Sequence, residues 1–199
     1  FKTYRLVVQL IVFLDEKLAP SDTKHGVMMN VYGLGVLLTG ESGIGKSELA
    51  LELIRRGHML VADDRVDIYR MHNDLICEAP SLLHNMLELR GVGVIDVTLL
   101  YGATSVLEKC QLDMVIKLEP YTPINNPDRL GIKGYDTIDI LGLEKPYMKI
   151  PVREGRAMGV IIESAVANFR LQSAGVDAAR IFTGRVFNYI QEENANRKD

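Results

Sequence analysis

The spacing of apolar and polar positions changes period repeatedly along the chain and so divides it into elements. Residues 1–19, with an apolar run from Leu6 to Leu14 broken only by Gln9, predict an amphipathic or buried helix, and Pro20-Ser21-Asp22 predicts a break. His25 to Tyr32 alternates loosely and predicts one strand, turned by Gly33 into Leu34-Gly35-Val36-Leu37-Leu38-Thr39, an apolar run that predicts a buried strand. From Lys46 to Arg56 the period lengthens. Leu49, Ala50, Leu53 and Ile54 recur at helical spacing, and Gly57 ends the pattern. His58 to Ala62 is a further apolar run, closed by Asp63-Asp64. Val66–Met71 and Leu75–Ala79, either side of His72-Asn73-Asp74, predict a hairpin. Ser81 is placed to cap a helix through Arg90, with Leu82, Leu83, Met86, Leu87 and Leu89 as its apolar side.

Beyond it, Gly91 and Gly93 open a predicted strand from Val94 to Leu100, and Leu112–Leu118 predicts another. Glu119 to Lys133, with Pro120, Pro123, Pro127 and the pair Asn125-Asn126, predicts a long loop, a length often tied to function. Lys149-Ile150-Pro151-Val152 predicts an edge strand, where proline is tolerated. Ala157–Leu171 and Asp177–Gln191 carry helical spacing, the latter through Ile181, Phe182, Val186, Phe187 and Ile190; the charged tail from Glu192 predicts a frayed end. Strands interleaved with helices predict an α/β fold with a mixed sheet.

The junction between the buried strand and the first internal helix carries the chemistry. Gly40-Glu41-Ser42-Gly43-Ile44-Gly45-Lys46-Ser47 fits G-x-x-x-x-G-K-[ST], in the strand–loop–helix order that a phosphate-binding loop requires. The glycines allow successive N–H groups to turn toward phosphate oxygens, and the helix N-terminus favours the same anion. Lys46 is placed to reach the β- and γ-phosphates of a nucleotide such as ATP, and the Ser47 hydroxyl to ligate Mg2+. Asp63-Asp64, at the end of an apolar strand, adds two carboxylates that point different ways. One suits a metal ion, the other an acceptor hydroxyl.

Composition narrows the class. At 199 residues, 47% hydrophobic and 25% charged, the chain suits one globular domain. A net charge of −3 and a pI near 5.9 give no basic field for nucleic acid. The longest apolar run is too short for a membrane span, and Asp15-Glu16-Lys17 stands where a signal peptide would be cleaved. Cys77 and Cys110, without a nearby C-x-x-C or histidine cluster, predict buried thiols of a reducing, cytoplasmic compartment. A first residue of Phe1 predicts a fragment.

The run from Gly40 to Asp64, the segment Leu87-Glu88-Leu89-Arg90-Gly91-Val92-Gly93-Val94-Ile95-Asp96-Val97, and Asp128-Arg129-Leu130-Gly131 resemble bacterial HPr kinase/phosphorylase. So do Ile150–Arg153, Val160–Glu163 and Asn168–Leu171, in the same order along the chain. The resemblance implies a phosphate-loop domain related to phosphoenolpyruvate carboxykinase, assembled as a homo-hexamer. It would use Mg2+ and ATP to phosphorylate a serine of the phosphocarrier HPr in carbon catabolite repression. It would also remove that phosphate with inorganic phosphate, releasing pyrophosphate. Carried over, Asp64 is general base forward and general acid in reverse. His25, Lys46 and Arg129 are catalytic; Ser47 and Glu88, with Asp63, are metal ligands; and Pro151, Val152, Arg153, Glu154, Gly155 and Arg156 form a segment tied to dephosphorylation. Residues 1–24 become a lead-in helix and linker from an absent N-terminal domain, residues 25–199 the catalytic domain, and helix 177–191 a surface for HPr.

The chain departs from the family pattern at Asn125-Asn126-Pro127, before Asp128, where an aromatic residue is expected, and at two positions in or next to the dephosphorylation segment. Glu154 and Ala157 stand where Pro and Asn are expected, and a carboxylate there repels phosphate, which predicts weaker phosphorolysis than kinase activity. His58, His72 and His84 are expected to be structural or exposed, and Met28-Met29 core filling. The rival readings are a phosphate-loop kinase for a small molecule and a nucleotide-sensing module without transfer.

Overall fold

The computed structural model describes residues 2–122, 135–153 and 155–196. Its centre is a six-stranded sheet. β1 (Ser21–His25), β2 (Val27–Val31) and β3 (Leu34–Gly40) lead through the glycine loop into α2 (Lys46–Arg55), after an N-terminal α1 (Lys2–Leu18). Then come β4 (Met59–Ala62), β5 (Arg65–Met71), β6 (Asp74–Glu78), β7 (Met86–Leu89), β8 (Gly93–Asp96) and α3 (Val97–Tyr101). β9 (Lys109–Gln111), β10 (Met114–Pro120), β11 (Asp136–Ile140), β12 (Leu143–Val152), α4 (Met158–Ser173) and α5 (Ala178–Asn196) complete the chain. The sheet order is β11-β12-β10-β3-β2-β4, with β12, β10 and β3 parallel and the other pairs antiparallel. A second sheet, β1-β5-β6-β9, covers one face, and β7-β8 form a separate ribbon.

Strand alternation sorts the core into two layers. Val36 and Leu38 of β3, with Met114 and Ile116 of β10, face Leu49, Leu53, Ile162 and Val166 of α2 and α4. Leu37 and Val115 point the other way, onto Val66, Ile68, Leu75 and Leu112 beneath the second sheet. β2 is buried along its whole length, with Met28 in one layer and Met29 in the other, as expected for core filling. α/β class and mixed sheet are therefore present, as several sheets rather than one.

Six expectations are corrected. Ser21–His25 is a strand, not a break, because it pairs with β5; the single strand over 25–32 is two strands joined at Gly26. The helix from Ser81 to Arg90 is a short 3-10 turn followed by β7. Asn85 adopts a left-handed conformation (φ 62°) that interrupts any helix, and Leu87 and Leu89 are buried by alternation. The strand over 94–100 stops at Asp96, whose carboxylate caps α3 by accepting from the Leu99 N–H at 3.0 Å. Residues 149–152 end an interior strand rather than an edge one: β12 lies between β11 and β10, and Pro151 sits opposite Glu119. The last helix continues past Glu192 to Asn196.

α1 is helical as predicted but not buried, since Leu6 and Leu10 are exposed, and so are Phe182 and Phe187 of α5. Among the described residues no helix is long and apolar enough to cross a membrane. Cys77 and Cys110 are free thiols facing each other across β6 and β9; burial raises the Cys77 pKa to about 12.

Candidate active site

The glycine loop closes over the start of α2. Gly43 has a φ of 86°, a left-handed conformation that favours glycine, and it packs against the Arg90 guanidinium. Gly40 packs so tightly on β10 that a Cβ would meet the Leu118 carbonyl at 2.6 Å. Lys46, the first residue of α2, is buried, and its ammonium donates to the carbonyls of Gly40 (3.1 Å) and Glu41 (3.0 Å). Those bonds hold the charge at the mouth of the loop.

Ser47 and the end of β4 meet across a cleft of about 140 Å3. The Ser47 hydroxyl donates to Asp63 Oδ1 at 2.9 Å, and the Glu88 N–H donates to Asp63 Oδ2 at 3.0 Å. Burial raises the Asp63 pKa above its usual 3.8, against the lowering effect of those two donors. Glu88 reaches the cleft from strand β7, not from the helix expected there, because alternation turns Leu87 and Leu89 inward and Glu88 outward.

Asp64 sits at the corner between β4 and β5. The Arg65 N–H donates to the Asp63 carbonyl at 2.8 Å, closing a three-residue turn around Asp64, whose φ is 65°. Such γ-turns are rare and strained for a side-chain-bearing residue. The Gly26 N–H fixes the corner by donating to the Asp64 carbonyl at 3.1 Å. The β1–β5 pairing places His25 opposite Arg65, and His25 Nδ1 then lies 3.1 Å from Asp64 Oδ1. Asp63 thus points inward and Asp64 outward, from adjacent positions.

Of the residues singled out by sequence, the loop from Gly40 to Ser47, His25, Asp63, Asp64 and Glu88 come together around this cleft. Pro151, Val152, Arg153, Gly155 and Arg156 lie elsewhere, at the end of β12; Arg153 stacks over Tyr121, 5.1 Å from its centroid. Arg129 and Glu154 lie outside the described residues. Sequence reading missed Arg90 as a site residue. It lines the cleft against Gly43 from the turn just past β7, two residues beyond Glu88, a position hidden by the helix prediction. His58 proves structural: its Nε2 is 2.9 Å from Glu163 Oε1.

Residues 16–186 match the sequence profile of the HPr Serine kinase C-terminal domain. The chain belongs to that family. It is 48% identical over 192 residues to HPr kinase/phosphorylase of Geobacillus thermodenitrificans, covering 96% of this chain and 62% of that protein. It is 51% identical over 168 residues to the protein of that name from Clostridium novyi, covering 84% of this chain and 54% of that one. The chain thus spans roughly three fifths of the length of the first curated relatives it matches (62, 61 and 60%). Among solved structures, the Hpr(Ser) kinase/phosphatase from Coxiella burnetii superposes with a TM-score of 0.70 at 37% identity, over 77% of this chain and 99% of that one.

Proposed function

We propose that this family member is a serine-protein kinase and phosphorylase acting on HPr at the cleft just described. The observation that carries the reading is an exposed carboxylate, Asp64, held by a strained turn and by His25 at the mouth of a phosphate loop. A nucleotide sensor needs no such base. In the forward direction Asp64 takes the proton of the serine hydroxyl as its oxygen bonds to the γ-phosphorus; the bond to the β-phosphate oxygen breaks and ADP leaves. In reverse an oxygen of inorganic phosphate attacks the phosphoserine phosphorus, the serine P–O bond breaks, and Asp64 returns the proton to the serine oxygen. Pyrophosphate is released. His25 orients the Asp64 carboxylate through Nδ1. Lys46 supplies positive charge to the transferring group, joined by Arg90 and, from outside the described residues, Arg129.

Mg2+ fits the donor set. Ser47, Asp63 and Glu88 offer hard oxygens, and the raised Asp63 pKa marks a carboxylate whose negative charge is poorly compensated. No group of three or more His, Cys, Asp or Glu gathers as a metal site among the described residues. Mg2+ is usually held by one or two carboxylates plus substrate phosphates and water. Bound there, the ion would neutralise developing phosphate charge. The exposed apolar side of α5 suits a protein surface, either HPr or a neighbouring copy in a hexamer.

The test is incubation with γ-labelled ATP, Mg2+ and HPr, followed by addition of unlabelled inorganic phosphate. Label on an HPr serine, then released as pyrophosphate, is the expected result. Label on a small molecule instead, or no transfer at all, overturns it. Transfer without phosphate-dependent release would keep the kinase half of the reading and overturn the phosphorylase half.

A further inference from the structure

His25 reaches the cleft from β1, the edge strand of the second sheet. That strand, Ser21-Asp22-Thr23-Lys24-His25, contains no apolar residue, and none of its five positions is buried. A buried apolar face normally locks a strand's register, and β1 has none. The backbone ladder does not choose a register by itself, because every residue of β1 offers the same N–H and C=O. A slip of one residue would turn His25 to the opposite face of the sheet, away from Asp64.

Two contacts flank His25 instead. On one side the Gly26 N–H donates to the Asp64 carbonyl at 3.1 Å, and Gly26 packs so closely on β3 that a Cβ would meet the Leu38 carbonyl at 2.5 Å. On the other side the Thr23 hydroxyl donates to Asp67 Oδ1 at 2.9 Å, with Thr23 and Asp67 directly opposite in the β1–β5 pairing. The same oxygen accepts from Arg65 Nε at 3.0 Å, and Arg65 is the residue opposite His25. The Arg70 N–H bonds the Pro20 carbonyl at 2.8 Å, in step with the Gly26–Asp64 bond. Alternation between those two pairs makes Thr23–Asp67 and His25–Arg65 non-hydrogen-bonded pairs, whose side chains lie closest together.

We propose that Asp67 is a positioning residue for phosphoryl transfer: its carboxylate fixes the register of β1 through Thr23 and so holds His25 Nδ1 on Asp64. The proposal rests on the phosphotransfer reading above. Asp67 does not line the cleft, so its effect passes through His25. When the register loosens, Asp64 keeps its place at the β4–β5 corner and Lys46 its place in the loop. What is lost is the orientation of the Asp64 carboxylate. Transfer therefore slows while the nucleotide binds as before.

A cycle of two substitutions tests this. Asp67→Ala should slow single-turnover transfer from ATP to HPr about tenfold and change Mg-ATP affinity less than about twofold. His25→Ala should slow transfer at least as much, and adding Asp67→Ala to it should then cost less than about a further twofold. Losses that multiply, or a parallel loss of Mg-ATP affinity, would overturn the positioning role and leave Asp67 a residue of stability alone. Amide exchange reads the register without activity: residues 21–25 should exchange at least about tenfold faster in Asp67→Ala, and unchanged exchange also overturns the proposal. Should Asp67→Ala not fold, Thr23→Val, which removes only the donor at an exposed edge position, takes its place with the same outcomes. If the unsubstituted protein transfers no phosphate, the phosphotransfer reading fails and the catalytic part of the proposal with it, while exchange at 21–25 still decides whether Asp67 sets the register.

Discussion

Helix α2 has a buried carboxylate beside each end, and the two behave in opposite ways. Asp63, next to the first turn, has its pKa raised by burial despite donors from Glu88 and Ser47, with Asp64 adding repulsion. Glu163 of α4, next to the last turn, has its pKa lowered, first by the hydrogen bond from Arg56 and also by His58. Their exposures are 5% and 9%, yet burial is the dominant influence only on Asp63, while at Glu163 hydrogen bonds outweigh it. Glu163 is paired with cations inside the fold, and its cluster is structural. Asp63 is surrounded by neutral donors and another carboxylate, which leaves a place for a positive charge from outside.

The largest expected effect belongs to the cleft alone. Asp64→Asn should keep nucleotide affinity while transfer to HPr falls by about 10²–10⁴, read as single-turnover rate against ATP affinity. Retained transfer would remove Asp64 from its role and weaken the contrast between the two ends of α2. Glu163→Gln should leave the transfer rate per folded molecule unchanged.

That second substitution instead reads out in stability. Glu163→Gln takes charge-assisted bonds from Arg56 and His58 and should cost about 2 kcal/mol, seen as a lower urea midpoint at neutral pH. The pH sign follows from the lowered pKa. Glu163 contributes fully above its unfolded value of 4.5, and the contribution is lost as pH falls below that. The urea midpoint of the variant should therefore fall less than that of the unsubstituted protein between neutral pH and the acid side of 4.5. An equal acid sensitivity would dissolve the structural half of the comparison.

Asp63 has the opposite sign. A folded pKa above 3.8 means its contribution is present below 3.8 and is lost as pH rises through the folded value. Asp63→Asn should therefore leave stability without Mg2+ within about 0.5 kcal/mol of the unsubstituted protein at neutral pH. It should also abolish most of the extra stability conferred by Mg-ATP, measured by the same urea titrations. A loss as large as that of Glu163→Gln would show Asp63 to be a structural carboxylate after all.

How much of this contrast was legible beforehand depended on range along the chain. The loop, β3 and α2 are contiguous, so local spacing predicts them, and Asp63-Asp64 follows directly. Glu88 and Arg90 were misplaced because Leu82 to Leu89 satisfies helical spacing almost as well as strand alternation; only the left-handed Asn85 decides between them. The β1–β5 pairing that brings His25 to Asp64 spans 40 residues, and no local period encodes it. The Glu163–His58 bond joins residues 105 positions apart and was equally invisible. Burial at each site was guessable, but the partner that compensates it was not.

The smallest effect tests how α4 is held against α2. Ala157 occupies the N-cap position of α4, with no side-chain hydrogen bond to the first turn. The Gly159 N–H is served from outside by Glu52, one turn of α2 before Arg56, which binds Glu163. Ala157→Asn would add a local acceptor, ordinarily a gain of about 0.5–1 kcal/mol, though here at the low end because Glu52 already answers one donor. In a Glu52→Ala background that donor is free, and the same substitution should gain more. Comparing the two gains by urea midpoint measures how far the interhelix carboxylate replaces the cap. Equal gains would show the two acceptors to be independent, leaving Glu163 as the contact that fixes α4 beside the cleft.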